Sequence, residues 1–203
     1  MTLKIFVVRH GETEWNQKRL FQGQQNSVLT VEGRSSALVL QKKIAKYEFN
    51  AVYSSPSLRA YDTAKILIDN HEYIQTDYRL LEISLGDWEG LSFDFVKANY
   101  PKLYKNYKDE PHLFDGSLIR GESLQDIKNR VAEFLNDIAF FHKKGNILVV
   151  CHGGTINAIL NYVLERNIDK FWYEKNVENL SVLELCLCTD GKFKLINDNV
   201  EFE

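Results

Sequence analysis

Apolar positions recur along the chain in two rhythms, and the rhythms alternate. Leu3 to Val8 is apolar except at Lys4, and Asn146 to Cys151 repeats that pattern; both read as short buried strands. Ala51 to Tyr53 and Tyr73 to Thr76 are briefer runs of the same kind. Between them the spacing turns helical. Thr30 caps a helix to about Ala45 with Ala37, Leu38, Leu40 and Ile44 on its apolar face. Ser55 and Pro56 suit the cap and first turn of a helix that runs to Ile68 and carries Arg59 near its start. Ser92 to Tyr100 predicts a short helix closed by Pro101. Gly121-Glu122-Ser123 opens a long one with Ile127, Val131, Phe134, Leu135 and Ile138 in register, and Ile156 to Leu164 predicts another. Shorter signals are a turn of helix at Glu14 to Leu20, a polar loop at Phe21 to Asn26, and a short helix at Phe171-Trp172. Ser181 to Cys188, the turn Asp190-Gly191 and Lys192 to Ile196 form a hairpin expected to close one sheet edge. Lys102 to Ile119 shows no clear period. Strands alternating with helices indicate an α/β fold with a mostly parallel sheet.

Two strands end on chemistry. The first delivers Arg9 and His10 onto Gly11, and the other delivers His152 onto Gly153 and Gly154. An arginine and histidines are costly to bury where a core strand ends, so an anion that both sites share is the expected partner. Paired glycines allow close backbone approach, and the helix that follows is expected to aim its first free N–H groups at that anion. Ligands of parallel sheets bind outside the carboxyl ends of the strands. Arg9 with His10, Arg59, Glu82 and His152 each follow a different predicted strand at that end, which places them around one cavity.

Five ordered blocks carry a family likeness. They are Arg9-His10-Gly11-Glu12-Thr13 with Trp15 and Asn16, Ser54-Ser55-Pro56 with Arg59, Glu82 before Gly86-Asp87-Trp88-Glu89-Gly90, Gly121-Glu122-Ser123, and His152-Gly153-Gly154. Over roughly residues 3 to 181 the chain resembles the histidine phosphatase superfamily, also called the phosphoglycerate mutase-like family. The resemblance implies a three-layer αβα sandwich. It also implies that His10 is the nucleophile forming a phosphohistidine, and that Glu82 is the acid that later serves as base. Arg9, Arg59 and a protonated His152 would grip the phosphate, each arginine through its planar fork. Asn16 and Gln22 match positions that contact the phosphoryl group, with Gly23 and Gly153 as backbone donors. Glu12, Glu14, Glu89 and Glu122 are expected at helix ends or the surface, Trp15 and Trp88 in packing, and Arg120 either as a substrate anchor or on the surface.

The remaining composition narrows the partners. A net charge of -3, with 25 Lys and Arg scattered along 203 residues, gives no general pull toward nucleic acid or a membrane. No apolar run approaches spanning length and no signal pattern precedes the first strand, so a cytoplasmic location is expected. The three cysteines match no zinc spacing and are expected as reduced thiols in the core. Two arginines beside the histidines would repel a divalent cation, so neither metal nor other cofactor is expected. The expected partner is a small-molecule phosphate monoester, and the oligomeric state is left open. One domain over 1–203 is expected, with a lid at about 92–120.

The block from Glu82 to Gly90 resembles the phosphatases, and residues 100–119 offer mainly Lys102, Lys105 and Lys108 where mutases carry a longer basic insertion. Transfer to water is therefore expected. A cofactor-dependent phosphoglycerate mutase is the alternative, and a non-catalytic phosphate sensor is a third reading that the presence of His10 and Glu82 disfavours. The aromatic-rich segment from Tyr100 to Phe114 suggests an apolar or ring-containing leaving group.

Overall fold

The computed structural model describes residues 2–68, 74–173 and 177–200. One sheet contains β1 (Leu3–Arg9), β2 (Ala51–Ser54), β3 (Ile74–Thr76), β4 (Gly145–Cys151), β5 (Val182–Leu187) and β6 (Phe193–Asn197), in the order β3-β2-β4-β1-β5-β6. The two most apolar strands lie side by side at its centre. They run parallel from Leu3 opposite Gly145 to Arg9 opposite Cys151, so both reach the same edge of the sheet together. The His10 N–H donates to the Cys151 carbonyl at 2.9 Å, and His10 and His152 therefore leave the sheet as neighbours. On the far side of β4, β2 is also parallel, while β5 and β6 are antiparallel additions that form the expected edge hairpin.

Alternation along β1 separates two cores. Leu3, Ile5 and Val7 face a layer that contains α6 (Leu124–Phe141) and α7 (Gly153–Val163), packed through Ile127, Val131, Ile156 and Ile159. Phe6 and Val8 face the opposite layer, where α2 (Val31–Ile44) and α3 (Leu58–Leu67) contribute Leu40, Ile44, Ala60 and Ala64. This is the three-layer αβα arrangement. Local chemistry sets the helix starts: the Thr30 hydroxyl accepts from Gly33 N, and Ser123 forms a capping box with Asp126.

Several expectations need correction. Residues 101–109 are not irregular: α1 (Glu14–Gln17) and α4 (Phe93–Asn99) are followed by α5 (Pro101–Asp109), and Pro101 opens that helix where it was expected to close the previous one. Leu103, Tyr104 and Tyr107 form its inner face, but lysines on both sides hide the period. Pro56 precedes α3, which starts at Leu58; Ser57 occupies the cap position without a side-chain cap bond. The single-turn 3-10 helix near Phe171 covers Ile168–Lys170. Tyr73 lies outside the described residues. All three cysteines are free, but only Cys151 is buried, while Cys186 and Cys188 are half-exposed. Among the described residues no helix is long and apolar enough to cross a membrane.

Candidate active site

At the shared edge of β1 and β4 lies a cavity of about 230 Å3. Arg9, His10, Asn16, Gln22, Gly23 and Arg59 line one end with Gly153 and Glu82. His152 does not reach the wall; its ring lies 5.2 Å from that of His10, centroid to centroid, tilted by 58°.

His10 is buried, and its Nδ1 donates to the Gly11 carbonyl at 2.8 Å. A carbonyl can only accept, so the proton sits on Nδ1 and Nε2 carries the lone pair. Burial, then Arg59 and Arg9, hold this imidazole well below the usual histidine value, so it is neutral at pH 7. His152 is lowered in the same way by burial, Arg59, His10 and Arg9. It is therefore neutral at pH 7, and the cationic grip expected of it is conditional on protonation. Its Nε2 lies 2.8 Å from the Ser55 hydroxyl and 3.2 Å from that of Ser57, and its buried Nδ1 has no hydrogen-bond partner among the described residues.

Arg59 enters from the first turn of α3, and its fork is not open as expected. Nη1 donates to Gln25 O and Nη2 to Gly23 O, each at 2.7 Å, while Nε points to His10 Nε2 at 3.3 Å. Loop 21–26 thus wraps the guanidinium, leaving its Nε side toward His10. Burial lowers its pKa to about 10, opposed by Glu82, so it remains a cation. Arg9 donates from Nη1 to Val177 O at 2.7 Å, and its buried Nε is without a partner among the described residues. A Cβ at Gly153 would make only ordinary contact with that nitrogen, at 3.6 Å, whereas one at Gly154 would lie 2.4 Å from Glu82 Oε1, so the close approach is that of Gly154 to Glu82.

Glu82 changes the expected role of α7. Its Oε2 accepts from Gly154 N at 3.0 Å, and Oε1 accepts from Thr155 N at 3.1 Å and from Ile83 N at 2.9 Å. Two first-turn N–H groups expected to face an anionic ligand are therefore taken up by a carboxylate of the protein. Asn16 Oδ1 accepts from the backbone and hydroxyl of Thr13, closing a capping box on α1, and the Thr13 hydroxyl also reaches Gln22 Oε1 at 3.1 Å. Gly23 adopts a φ of +50°, and a Cβ there would lie 2.0 Å from Glu89 Oε1.

The other end of the cavity was less legible. Phe21, Phe93, Tyr104, Tyr107 and Trp172 form its wall, with the exposed Lys108 at the rim, 5.6 Å from the Trp172 ring centroid. Glu89, expected at a helix end or the surface, ends the 3-10 turn Gly86–Trp88, and its Oε1 accepts from Gln24 N at 3.0 Å and Leu85 N at 2.9 Å, joining two loops. Ser55 was expected only as a helix cap within the Ser54-Ser55-Pro56 block, and Ser57 had no expected role. Arg120 is exposed and paired with Asp87 outside the cavity. Trp88 is wholly buried. Among the described residues no group of three or more His, Cys, Asp and Glu could hold a metal ion.

Fold and pocket together define an α/β protein with two buried histidines and two arginines gathered where parallel strands end. Residues 5–199 match the histidine phosphatase superfamily (branch 1), and the chain belongs to that family. It is 33% identical over 174 residues to phosphoserine phosphatase 1 of Hydrogenobacter thermophilus, covering 84% of this chain and 80% of that one. Over 161 residues it is 35% identical to phosphoglycerate mutase-like protein 4 of Arabidopsis thaliana, covering 77% and 69%. Among solved structures it is similar to Bacillus stearothermophilus YhfR, with a TM-score of 0.92, 32% identity and 98% of both chains covered.

Proposed function

We propose that this chain is a metal-independent phosphatase that hydrolyses a small-molecule phosphate monoester through a phosphohistidine on His10. The observation that carries the reading is the pinned tautomer: with Nδ1–H held by Gly11 O, the Nε2 lone pair is the atom available to attack. That lone pair accepts from Arg59 Nε at 3.3 Å. A bound phosphate oxygen takes over this N–H, which frees Nε2 and neutralises the oxygen's charge in the same movement.

Nε2 then attacks phosphorus opposite the ester oxygen. The P–O bond breaks with its electron pair on the leaving oxygen, which takes a proton from the acid form of Glu82. In the second step Glu82 accepts a proton from water, whose oxygen attacks phosphorus, and the N–P electron pair returns to His10. Arg9 and Arg59 balance the charge. The unpartnered Nδ1 of His152 gains a proton as the dianion enters, because that negative charge offsets both burial and the neighbouring arginines. Asn16, Gln22, Gly23 and Gly153 complete the phosphate end.

Of the three lysines in 102–108, only Lys108 lines the cavity, and Lys105 pairs with Glu110. One rim cation is little with which to retain a doubly phosphorylated intermediate, and this favours water as acceptor over a second hydroxyl. Glu82→Gln is expected to slow an alkyl phosphate at least about 100-fold, within the usual range for a general acid. p-Nitrophenyl phosphate, whose leaving group needs no proton, should slow far less in the acid-dependent first step, and chelator should change neither rate. Steady-state and burst kinetics on both substrates check this; equal slowing of the burst removes Glu82 from the acid role.

A further inference from the structure

The segment that presents Glu82 has no regular structure beyond a single 3-10 turn at Tyr78–Leu80, so its carbonyls need partners from elsewhere. One side chain supplies most of them. Arg130, on α6, donates from Nη1 to Arg79 O at 2.6 Å and to Leu81 O at 2.7 Å, and from Nη2 to Glu82 O at 3.1 Å. Its remaining N–H groups go to Glu122, with Nε to Oε1 at 2.6 Å and Nη2 to Oε2 at 2.9 Å. These five bonds match the five donors of a guanidinium. Glu122 is tied to the same segment, accepting from Ser84 N at 3.2 Å while its own N–H donates to Ser84 O at 2.8 Å. The pair is mostly shielded, with Arg130 17% and Glu122 15% exposed. Neither residue lines the cavity.

We infer that Arg130, oriented by Glu122, is a positioning residue that sets the place of the Glu82 carboxyl and so tunes proton transfer to the leaving group. The inference rests on the reading of Glu82 as the acid. From one side three backbone N–H groups hold the Glu82 carboxylate; from the other Arg130 holds the carbonyls of residues 79, 81 and 82. Only the planar fork of arginine addresses these acceptors and a bidentate carboxylate at once, and a lysine at 130 cannot. A displacement of about 1 Å at a reacting group can cost about 100-fold in rate.

The test compares Arg130→Lys, Glu82→Gln and the double variant of the full chain on β-glycerophosphate and p-nitrophenyl phosphate. Arg130→Lys is expected to lower kcat/KM for β-glycerophosphate at least about tenfold and for p-nitrophenyl phosphate less than about threefold, on the scale of a small displacement. In the Glu82→Gln background it should add less than about twofold on either, since residues acting through one another are non-additive. Equal losses on both substrates, or a full additional loss in the double variant, overturn the positioning role. A non-selective Glu82→Gln sinks the acid assignment and the inference with it; a selective Glu82→Gln beside a non-selective Arg130→Lys sinks the inference alone. Should Arg130→Lys fail to fold, Glu122→Gln decides by the same substrate comparison, because it loosens the guanidinium without removing it.

Discussion

Burial and two guanidinium neighbours keep His10 and His152 uncharged, and this has a consequence for stability. In the unfolded chain both titrate near the ordinary value of about 6.5, whereas in the folded protein both protonate only well below it. Below about pH 6.5 the unfolded state therefore binds more protons, and folding stability falls with pH. The stabilisation is complete above that value and is lost progressively toward the folded-state pKa values. Each histidine contributes a slope of up to about 1.4 kcal/mol per pH unit. Denaturant unfolding at pH 7.5, 6 and 5 should show this decline, and His152→Gln should remove about half of what these two histidines contribute. The positive φ of Gly23 and its closeness to Glu89 exclude a side chain there. Gly23→Ala is expected to destabilise by about 1–3 kcal/mol. It should also lower kcat/KM, since the Gly23 carbonyl holds Arg59; urea titration and kinetics on the same preparation check both.

Among the elements, β1, β4 and the long helices were legible because each buries a continuous stripe whose period is written locally in the sequence. The aromatic wall was not. Tyr104 and Tyr107 belong to α5, a helix with short inner spacing interrupted by lysines, while Trp172 arrives from another part of the chain and meets Tyr107 edge to face with centroids 4.8 Å apart. What makes these rings one surface is their meeting, and no local pattern records it. Trp172→Leu removes one ring from this wall. It should raise KM about three- to tenfold for an aryl phosphate, the scale of one aromatic contact of about 0.5–1.5 kcal/mol. KM for a small alkyl phosphate should move by less than about twofold, and an equal rise for both would show that the ring does not contact the leaving group.

At the scale of the molecule, the cavity gathers residues from β1, from α1, α3, α4, α5 and α7, and from the loops between elements, so a ligand there binds the folded chain and not the unfolded one. Inorganic phosphate at 100 times its Kd should raise the unfolding free energy by about 2.7 kcal/mol. Arg59→Ala should abolish most of that gain, and calorimetric scans with and without phosphate would read it directly. By itself, the sequence determined the alternation of strands and helices and the residue types at the strand ends. Hydrophobic period is a local property, and adjacent parallel strands in register bring their carboxyl ends together. Only the tertiary structure decided which polar groups remain available. It assigned the α7 N–H groups to Glu82, two Arg59 donors to loop carbonyls, the His152 Nε2 to Ser55, and the carbonyls around Glu82 to Arg130. Each of those pairings joins residues more than thirty positions apart, and a hydrogen bond across such a separation leaves no periodic trace in the chain.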